Sequence, residues 1–157
     1  MKTLCGDIWS LAAAQPNSAL VVPTNIGWTR GGENPMGRGV ALEAMRREPT
    51  LARWYGALCK RNGAQTQVVL WRESLTFILF PTKPLNIKAP QLSWRNPASL
   101  TLIERSLLQL SLLPLDDGTH VFLPLVGCGN GGLSEDAVMP LLHKYLNDRF
   151  TLVVEER

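Results

Sequence analysis

Residues 120–145 read HVFLPLVGCGNGGLSEDAVMPLLHKY and predict a buried strand, a glycine-rich loop and a helix in direct succession. Residues 120–126 form a largely apolar run without alternation, which is typical of a strand covered on both faces. Ser134 is a favourable N-cap residue, and Glu135 and Asp136 then occupy the first helical turn, where negative charge is stabilising. A strand that leads through a loop into a helix is the repeating unit of α/β proteins, so this stretch predicts that class.

The same succession of strands and helices recurs through the rest of the chain. Further strands are predicted over residues 20–22 (ending at Pro23), 67–71, 76–80 and 151–154. Helices are predicted over residues 39–47, 49–61 and 97–113. The last of these has the clearest apolar periodicity, with Asn96 as its N-cap and Pro97 at its first position. Strands separated by helices predict a layered α/β fold.

Length and composition indicate one folded domain. The chain has 157 residues, of which 45% are hydrophobic and 18% are charged. These proportions exclude a disordered chain, and the length is typical of a single domain with one sizeable core. The formal net charge of +3 is too small and too scattered for the basic stripe of a nucleic-acid-binding module, although it suits a phosphate-bearing ligand.

The cysteines and histidines exclude two further classes. Cys5, Cys59 and Cys128 are an odd number at wide spacing, which argues against a disulfide framework and fits a reducing cytoplasm. His120 and His143 form no metal-ligand pattern with them. No apolar stretch approaches the roughly 20 residues that span a bilayer. We therefore expect a metal-free cytoplasmic monomer that has no membrane segment.

The glycines are concentrated in two windows. Of the 13 glycines, five lie between Gly27 and Gly39 and four between Gly127 and Gly132. Each window follows a predicted strand and precedes a helix, which is where α/β sheets bind ligands. Glycine lets backbone N–H groups converge on one spot, and a helix start adds further free N–H groups. The windows predict a cradle for a diphosphate. Tight turns that need positive φ are the alternative explanation.

With these loops the chain resembles a macrodomain along nearly its whole length. The resemblance rests on Gly6-Asp7-Ile8, on Asn25 after a buried strand, and on the segments MGRGVA at 36–41 and PLVGCGNGGL at 124–133. Macrodomains are α/β/α sandwiches that bind ADP-ribose. The resemblance therefore implies a single domain over residues 1–157, with three layers and a mixed central sheet of about six strands. It implies ADP-ribose as ligand or product, and no cofactor.

Two further segments resemble one subclass of macrodomains. Residues 80–83 read FPTK, and residues 94–97 read WRNP at the entry to a helix. The subclass removes ADP-ribose from DNA bases or from carboxylate side chains, and it includes antitoxins paired with DNA-modifying ADP-ribosyltransferases. The resemblance implies a hydrolase that acts on an ADP-ribosylated macromolecule, including ADP-ribosylated DNA, with an ADP-ribosyltransferase toxin as its partner.

Two residues are implied as catalytic. In the subclass, a lysine at the position of Lys83 acts at the anomeric carbon of the distal ribose. A desolvated lysine can do so as a nucleophile that forms a Schiff base, or it can act as a charge or proton donor. Asn130 stands where some relatives have an aspartate that helps resolve the reaction, and an amide cannot serve as a base. The segment 84–93 is longer than we expect, and Lys88 within it is an alternative to Lys83.

The resemblance also implies a set of ligand contacts. Asp7 and the Ile8 N–H group would meet adenine, Asn25 would meet the distal ribose, and the two glycine loops would hold the phosphates. The full set of binding residues is Asp7, Ile8, Thr24, Asn25, Met36, Gly37, Arg38, Gly39, Val40, Pro124, Gly127, Cys128, Gly129, Asn130, Gly131 and Gly132.

Each of these roles has a simpler alternative. Asp7 is also typical of a Gly-Asp turn, and Asn25 of an Asx turn. Cys128 is explained by a small buried position better than by a thiol nucleophile. Trp28 and Trp94 are weaker candidates for stacking on a base. For the whole protein, the alternatives to a glycohydrolase are a non-catalytic reader of ADP-ribose, motivated by Asn130, and a phosphatase for ADP-ribose 1″-phosphate.

Overall fold

The computed structural model describes residues 1–155 and shows apolar strands gathered into one central sheet. In chain order the elements are β1 (Lys2–Cys5), α1 (Ile8–Ala14), β2 (Ser18–Asn25), α2 (Gly39–Arg47), α3 (Leu51–Asn62), β3 (Val69–Arg72), β4 (Thr76–Lys83), α4 (Leu100–Ser111), β5 (His120–Leu123), α5 (Glu135–Tyr145) and β6 (Phe150–Val154). Short 3₁₀ turns cover Gly63–Gln65, Pro90–Arg95 and Gly129–Gly131.

The sheet is mixed, with strand order β1-β6-β5-β2-β4-β3. All neighbouring strands from β1 to β4 in this order are parallel, and only β3 runs antiparallel, at the edge beside β4. The carboxyl ends of the parallel strands therefore meet at one edge of the sheet. Loops at such an edge are where α/β proteins bind ligands.

Alternating residues of the central strands feed two separate cores. In β2, Ala19 and Val21 pack into the core under α4 and α5, whereas Leu20 and Val22 pack into the core under α1, α2 and α3. Successive side chains of a strand point to opposite faces, so both faces of the sheet are covered by helices. The expected three-layer α/β/α sandwich around a six-stranded mixed sheet is confirmed.

The structure corrects the expected start of α4. Asn96 does not cap this helix, and Pro97 is not its first residue. Instead, the Ser99 hydroxyl accepts from the Leu102 N–H group at 3.2 Å, and the helix begins at Leu100. Asn96 closes the preceding 3₁₀ turn, where its N–H group donates to the Ser93 carbonyl, and its side chain is used elsewhere.

Other elements differ in extent from the sequence predictions. β2 continues through Pro23 to Asn25, because its pairing with β5 ends at Leu20 and leaves that side of the proline without a required ladder bond. β4 extends three residues beyond Phe80, to Lys83. β1 and α1 have no counterpart in the predictions, since β1 is a four-residue exposed edge strand and α1 is seven residues long.

Within residues 1–155, no helix is long and apolar enough to cross a membrane. The same residues contain no group of three or more His, Cys, Asp and Glu side chains placed to hold a metal ion. All three cysteines are free thiols.

Candidate functional site

A cavity of about 490 Å³ opens at the carboxyl edge of the sheet. It forms where β2 separates from β5: their pairing stops at Leu20 and Phe122, while β2 stays paired with β4 as far as Lys83. The predicted site residues that the fold brings to its wall are Thr24, Asn25, Gly37, Arg38, Gly39, Val40, Lys83, Pro124, Gly127, Cys128, Asn130 and Gly131.

The charge of the wall is positive. Arg38 and Lys83 are its cationic side chains, and no carboxylate occurs among the described residues that line it. Burial, and to a lesser degree the nearby Arg38 guanidinium, hold the pKa of Lys83 below its ordinary range. Two cations without a counter-ion favour an anionic ligand, because such a ligand supplies the missing opposite charge.

The N-terminus of α2 forms one side of the cavity. Arg38 is the residue that precedes this nine-residue helix, and its side chain makes no capping hydrogen bond. Gly39, Val40 and Ala41 follow it and line the cavity. The first N–H groups of a helix have no intrahelical partner and carry a partial positive charge. This side of the cavity can therefore bind a phosphate through the backbone.

The second glycine loop forms the opposite side, and its glycines serve two purposes. A Cβ on Gly127 would lie 2.5 Å from Ile103 Cδ1, and one on Gly131 would lie 2.8 Å from Ala98 Cβ. These two glycines let the loop pack closely on the start of α4. Gly127 also has a φ of +76°, so the turn requires a glycine there as well. Gly129 and Gly132, with φ of +67° and +79°, have open space around them, so only the turn requires those two. The tight turn is thus present, and the phosphate cradle stays a prediction.

Lys83 lies at one end of the cavity, at the last position of β4. A register shift between Thr24 and Asn25 pairs Asn25 directly with Lys83, and such irregularities re-aim side chains beside functional sites. Lys83 Nζ donates to the Trp94 carbonyl at 2.8 Å. Lys88, the alternative considered from the sequence, is exposed and is not among the residues lining the cavity.

Trp94, whose carbonyl accepts from this lysine, also lines the cavity, and two arginines lie near its ring. Its centroid is 5.9 Å from the Arg38 guanidinium carbon and 5.1 Å from that of Arg95. An aromatic ring with guanidinium groups within about 6 Å makes favourable cation–π contacts. The end of the cavity nearest Lys83 therefore combines a flat apolar surface with positive charge.

Asn25 and Asn34 fix the floor of the cavity. The Asn25 carboxamide accepts from the Gly27 N–H group at 3.0 Å and donates to the Pro35 carbonyl at 2.8 Å. Buried Asn34 donates to the Asn25 and Gly27 carbonyls, at 3.0 and 2.9 Å. The Asx-type contact considered as the alternative for Asn25 is therefore present. Sequence reasoning missed Asn34, because an Asn-Pro step predicts a turn but not a fold back onto a strand end.

Five predicted binding residues are not among those that line the cavity: Asp7, Ile8, Met36, Gly129 and Gly132. Ile8 and Met36 are buried in the core on the α1–α3 side of the sheet. Asp7 is the N-cap of α1: its carboxylate accepts from the N–H and hydroxyl groups of Ser10, which lowers its pKa. It follows β1, three strands from β2, or roughly 14 Å at the usual strand spacing. The adenine contacts of Asp7 and Ile8 stay predictions.

Cys128 lines the cavity as a thiol and not as a thiolate. Burial, with Glu135 nearby, raises its pKa. His120 is engaged elsewhere, since its Nε2 lies 2.7 Å from the Thr151 hydroxyl at the opposite end of β5. His143 is exposed on α5. Cys128 is half-buried, so the fully buried position expected for it is wrong, and no base activates the thiol among these groups.

Comparisons with known proteins find solved structures with a similar fold. No protein-family model matches the sequence, and no curated protein sequence matches it. The macrodomain of Mycobacterium tuberculosis DarG is 24% identical with a TM-score of 0.70, covering 97% of this chain and 95% of that one. The macrodomain of Thermus aquaticus DarG is 24% identical with a TM-score of 0.71, covering 99% and 97%.

A third solved structure is larger than this chain. Thermosipho africanus DarTG in complex with ADP-ribose is 21% identical with a TM-score of 0.74, and the match covers 99% of this chain but 42% of that one. Identities at this level show a shared fold.

Proposed function

Because the chain has the macrodomain fold, we propose that it binds ADP-ribose in the 490 Å³ cavity and releases ADP-ribose from a modified macromolecule. The observation that carries this proposal is the position of Lys83, half-buried at the end of a cationic cavity without a carboxylate in its described lining. A solved structure of this fold, that of Thermosipho africanus DarTG, is in complex with ADP-ribose, which supports the ligand class.

The ligand is oriented by the two sides of the cavity. We place the diphosphate between the N-terminus of α2 and the loop around Gly131, since both offer backbone donors without needing a side chain. The distal ribose then points toward Lys83, and the adenosine toward the ends of β5, β6 and β1, where Asp7 lies. This orientation puts the anomeric carbon beside the only side-chain amine among the described residues of the wall.

Lys83 acts in this proposal as the nucleophile. Its neutral amine bonds to the anomeric carbon while the bond to the target breaks, and the leaving atom takes the electron pair and a proton. Ring opening leaves a Schiff base between Lys83 and the sugar. Water then adds to that carbon, which frees ADP-ribose and restores the amine. The lowered pKa of Lys83 increases the neutral fraction that the first step needs. No metal or other cofactor enters these steps.

The surroundings of Lys83 favour a DNA base as the leaving group over an acidic side chain. Trp94 offers a face on which a base can stack, an interaction of about 1–3 kcal/mol per base. Arg38 and Arg95 add positive charge next to the ring, which suits flanking phosphates. An ADP-ribosyltransferase toxin that modifies DNA would be the partner whose product this enzyme removes.

The proposal is tested by measuring free ADP-ribose. The wild-type protein is expected to release it from an ADP-ribosylated single-stranded oligonucleotide faster than from a glutamyl-ADP-ribose peptide. Calorimetry with ADP-ribose measures binding separately. Tight binding with no release from either substrate would identify a reader, the candidate favoured by the amide at Asn130. Phosphate release from ADP-ribose 1″-phosphate would identify the phosphatase instead.

The pH dependence of release distinguishes the two roles of Lys83. A nucleophilic lysine must lose its proton, so the rate is expected to rise with pH, with a midpoint below the ordinary lysine range because burial disfavours the charged form. Arg38→Gln removes the neighbouring positive charge and should move the midpoint upward. Single-turnover rates across pH check both statements. A rate that falls through this range would show Lys83 acting as a proton donor.

A further inference from the structure

Side-chain hydrogen bonds join residues within the segment 84–96. This segment includes the residues that make the region longer than expected. Ser93 is fully buried, and its hydroxyl accepts from the Asn86 N–H group at 2.9 Å and donates to the Pro90 carbonyl at 2.8 Å. The Asn86 carboxamide accepts in turn from the Ala89 N–H group at 3.1 Å. Ser93 thus holds both halves of the segment together.

The ends of the segment are fastened on either side of Lys83. Asn96 Nδ2 donates to the Pro84 carbonyl at 3.0 Å, and the Ser99 N–H group donates to the Thr82 carbonyl at 3.0 Å. The residues before and after Lys83 are therefore both held by the chain that returns from Trp94. The Lys83 ammonium completes this arrangement by donating to the Trp94 carbonyl at 2.8 Å.

The segment packs directly against Gly27. A Cβ on Gly27 would lie 2.6 Å from Ser93 Oγ and closer still to the Pro90 carbonyl oxygen. Gly27 is buried and is not among the residues that line the cavity. It therefore takes no part in the phosphate cradle expected of the first glycine window. Its missing side chain instead allows the turn around Ser93 to approach the end of β2.

We propose that the segment 84–96, seated on Gly27 and held by Ser93, is a positioning element for Lys83. It fixes the Trp94 carbonyl where that carbonyl accepts from Nζ, and this determines where the amine points within the cavity. The inference rests on the proposed function for Lys83. Gly27 and Ser93 are positioning residues, because both act through the Trp94 carbonyl and neither lines the cavity.

Gly27→Ala tests the positioning role against a matched control. Gly31 belongs to the same window, and its Cβ would have no atom nearer than 3.8 Å; neither glycine has φ in the left-handed region. Gly27→Ala is expected to lower kcat for ADP-ribose release at least tenfold, since displacement by about 1 Å can cost 10²-fold. The ADP-ribose Kd is measured alongside, because the Gly27 carbonyl also accepts from the Asn34 side chain beside the cavity, and kcat is expected to fall by a larger factor than Kd rises. Gly31→Ala should match the wild type in both quantities.

A second measurement does not depend on turnover. Competitive acetylation across pH, read by peptide mass spectrometry, reports the protonation of Lys83, with exposed Lys88 as an internal reference. Loss of the Trp94 acceptor destabilises the ammonium form, so the Lys83 midpoint should fall in Gly27→Ala and not in Gly31→Ala. If the wild type releases no ADP-ribose, the proposed function fails, and the acetylation profile still decides the positioning role.

Ser93→Ala provides the second variant. It removes the hydroxyl that joins the halves of the segment and adds no bulk, so it carries the test if Gly27→Ala does not fold. It is expected to lower kcat and the acetylation midpoint in the same direction. Wild-type kcat together with an unchanged Lys83 midpoint in a folded Gly27→Ala or Ser93→Ala protein would overturn the proposal.

Discussion

Lys83→Ala is expected to reduce ADP-ribose release by at least about 10²-fold, because the variant lacks the amine that would form the covalent intermediate. Arg38 stays as the other cationic side chain of the described lining, so no amine is left to replace the nucleophile. Single-turnover measurement on the ADP-ribosylated oligonucleotide gives the rate.

Binding should survive the same substitution. The proposed diphosphate site consists of the α2 N-terminus and the loop that contains Gly127 and Gly131, and neither depends on Lys83. Calorimetry with ADP-ribose is therefore expected to show binding by Lys83→Ala. Loss of binding along with loss of release would mean that the lysine holds the ligand and does not act on it.

Two further variants sharpen this prediction. Lys88→Ala, in the adjacent segment, removes an exposed lysine outside the cavity lining and should release ADP-ribose at the wild-type rate. Lys83→Arg keeps the positive charge but cannot supply a neutral amine, so it should be as inactive as alanine. Activity in the arginine variant would contradict a covalent role and favour purely electrostatic assistance.

Gly56→Ala is expected to destabilise the protein by about 2–3 kcal/mol, although alanine favours a helix over glycine by about 1 kcal/mol. A Cβ at this buried position of α3 would lie 2.5 Å from the Asn34 nitrogen and 2.7 Å from the Glu33 carbonyl carbon, with the Gly32 carbonyl oxygen closer still. These neighbours are backbone atoms, which cannot rotate away as a flexible side chain can. Denaturant unfolding measures the free energy.

The same substitution should also weaken ADP-ribose binding. The Asn34 N–H group donates to the Ala52 carbonyl of α3 at 2.8 Å, and the Asn34 side chain holds the Asn25 and Gly27 carbonyls. Pushing this loop away from α3 therefore disturbs the floor of the cavity. Calorimetry on the folded fraction of Gly56→Ala checks the effect.

Ala57→Gly is the matched control. This next residue of α3 is exposed, so the change costs only helix propensity, about 1 kcal/mol, and leaves the loop at Asn34 in place. A Gly56→Ala protein as stable as the wild type would show that the 32–34 backbone can shift without cost. The comparison separates packing against backbone from intrinsic helix preference.

Much of the fold follows from local sequence patterns. Ser134 caps α5 as predicted, with its hydroxyl accepting from the Ala137 N–H group at 3.3 Å. The apolar runs form the central strands, and both glycine windows meet at the carboxyl edge of the sheet. These features depend on residues a few positions apart, where hydrophobic periodicity and cap chemistry act directly.

Part of the site was not predictable in this way. Asn34, the Trp94 carbonyl and the roles of Gly27 and Gly56 depend on atoms that only the packed fold brings together. The Thr82 hydroxyl, for example, donates to the Thr24 carbonyl at 3.1 Å across 58 positions of sequence. Such contacts leave no periodic trace, because each involves a single pair of residues.

The sequence by itself determined the α/β class and the positions of the two glycine loops, and its resemblance to macrodomains indicated Lys83. The fold class and the loop positions depend on residue types and on patterns among residues a few positions apart. The tertiary structure alone decided which glycines permit close packing and which only allow a turn, since both kinds look the same in a sequence. It also decided that Lys83 and not Lys88 lies in the cavity wall, because the pairing of β2 with β4 carries only Lys83 to that edge.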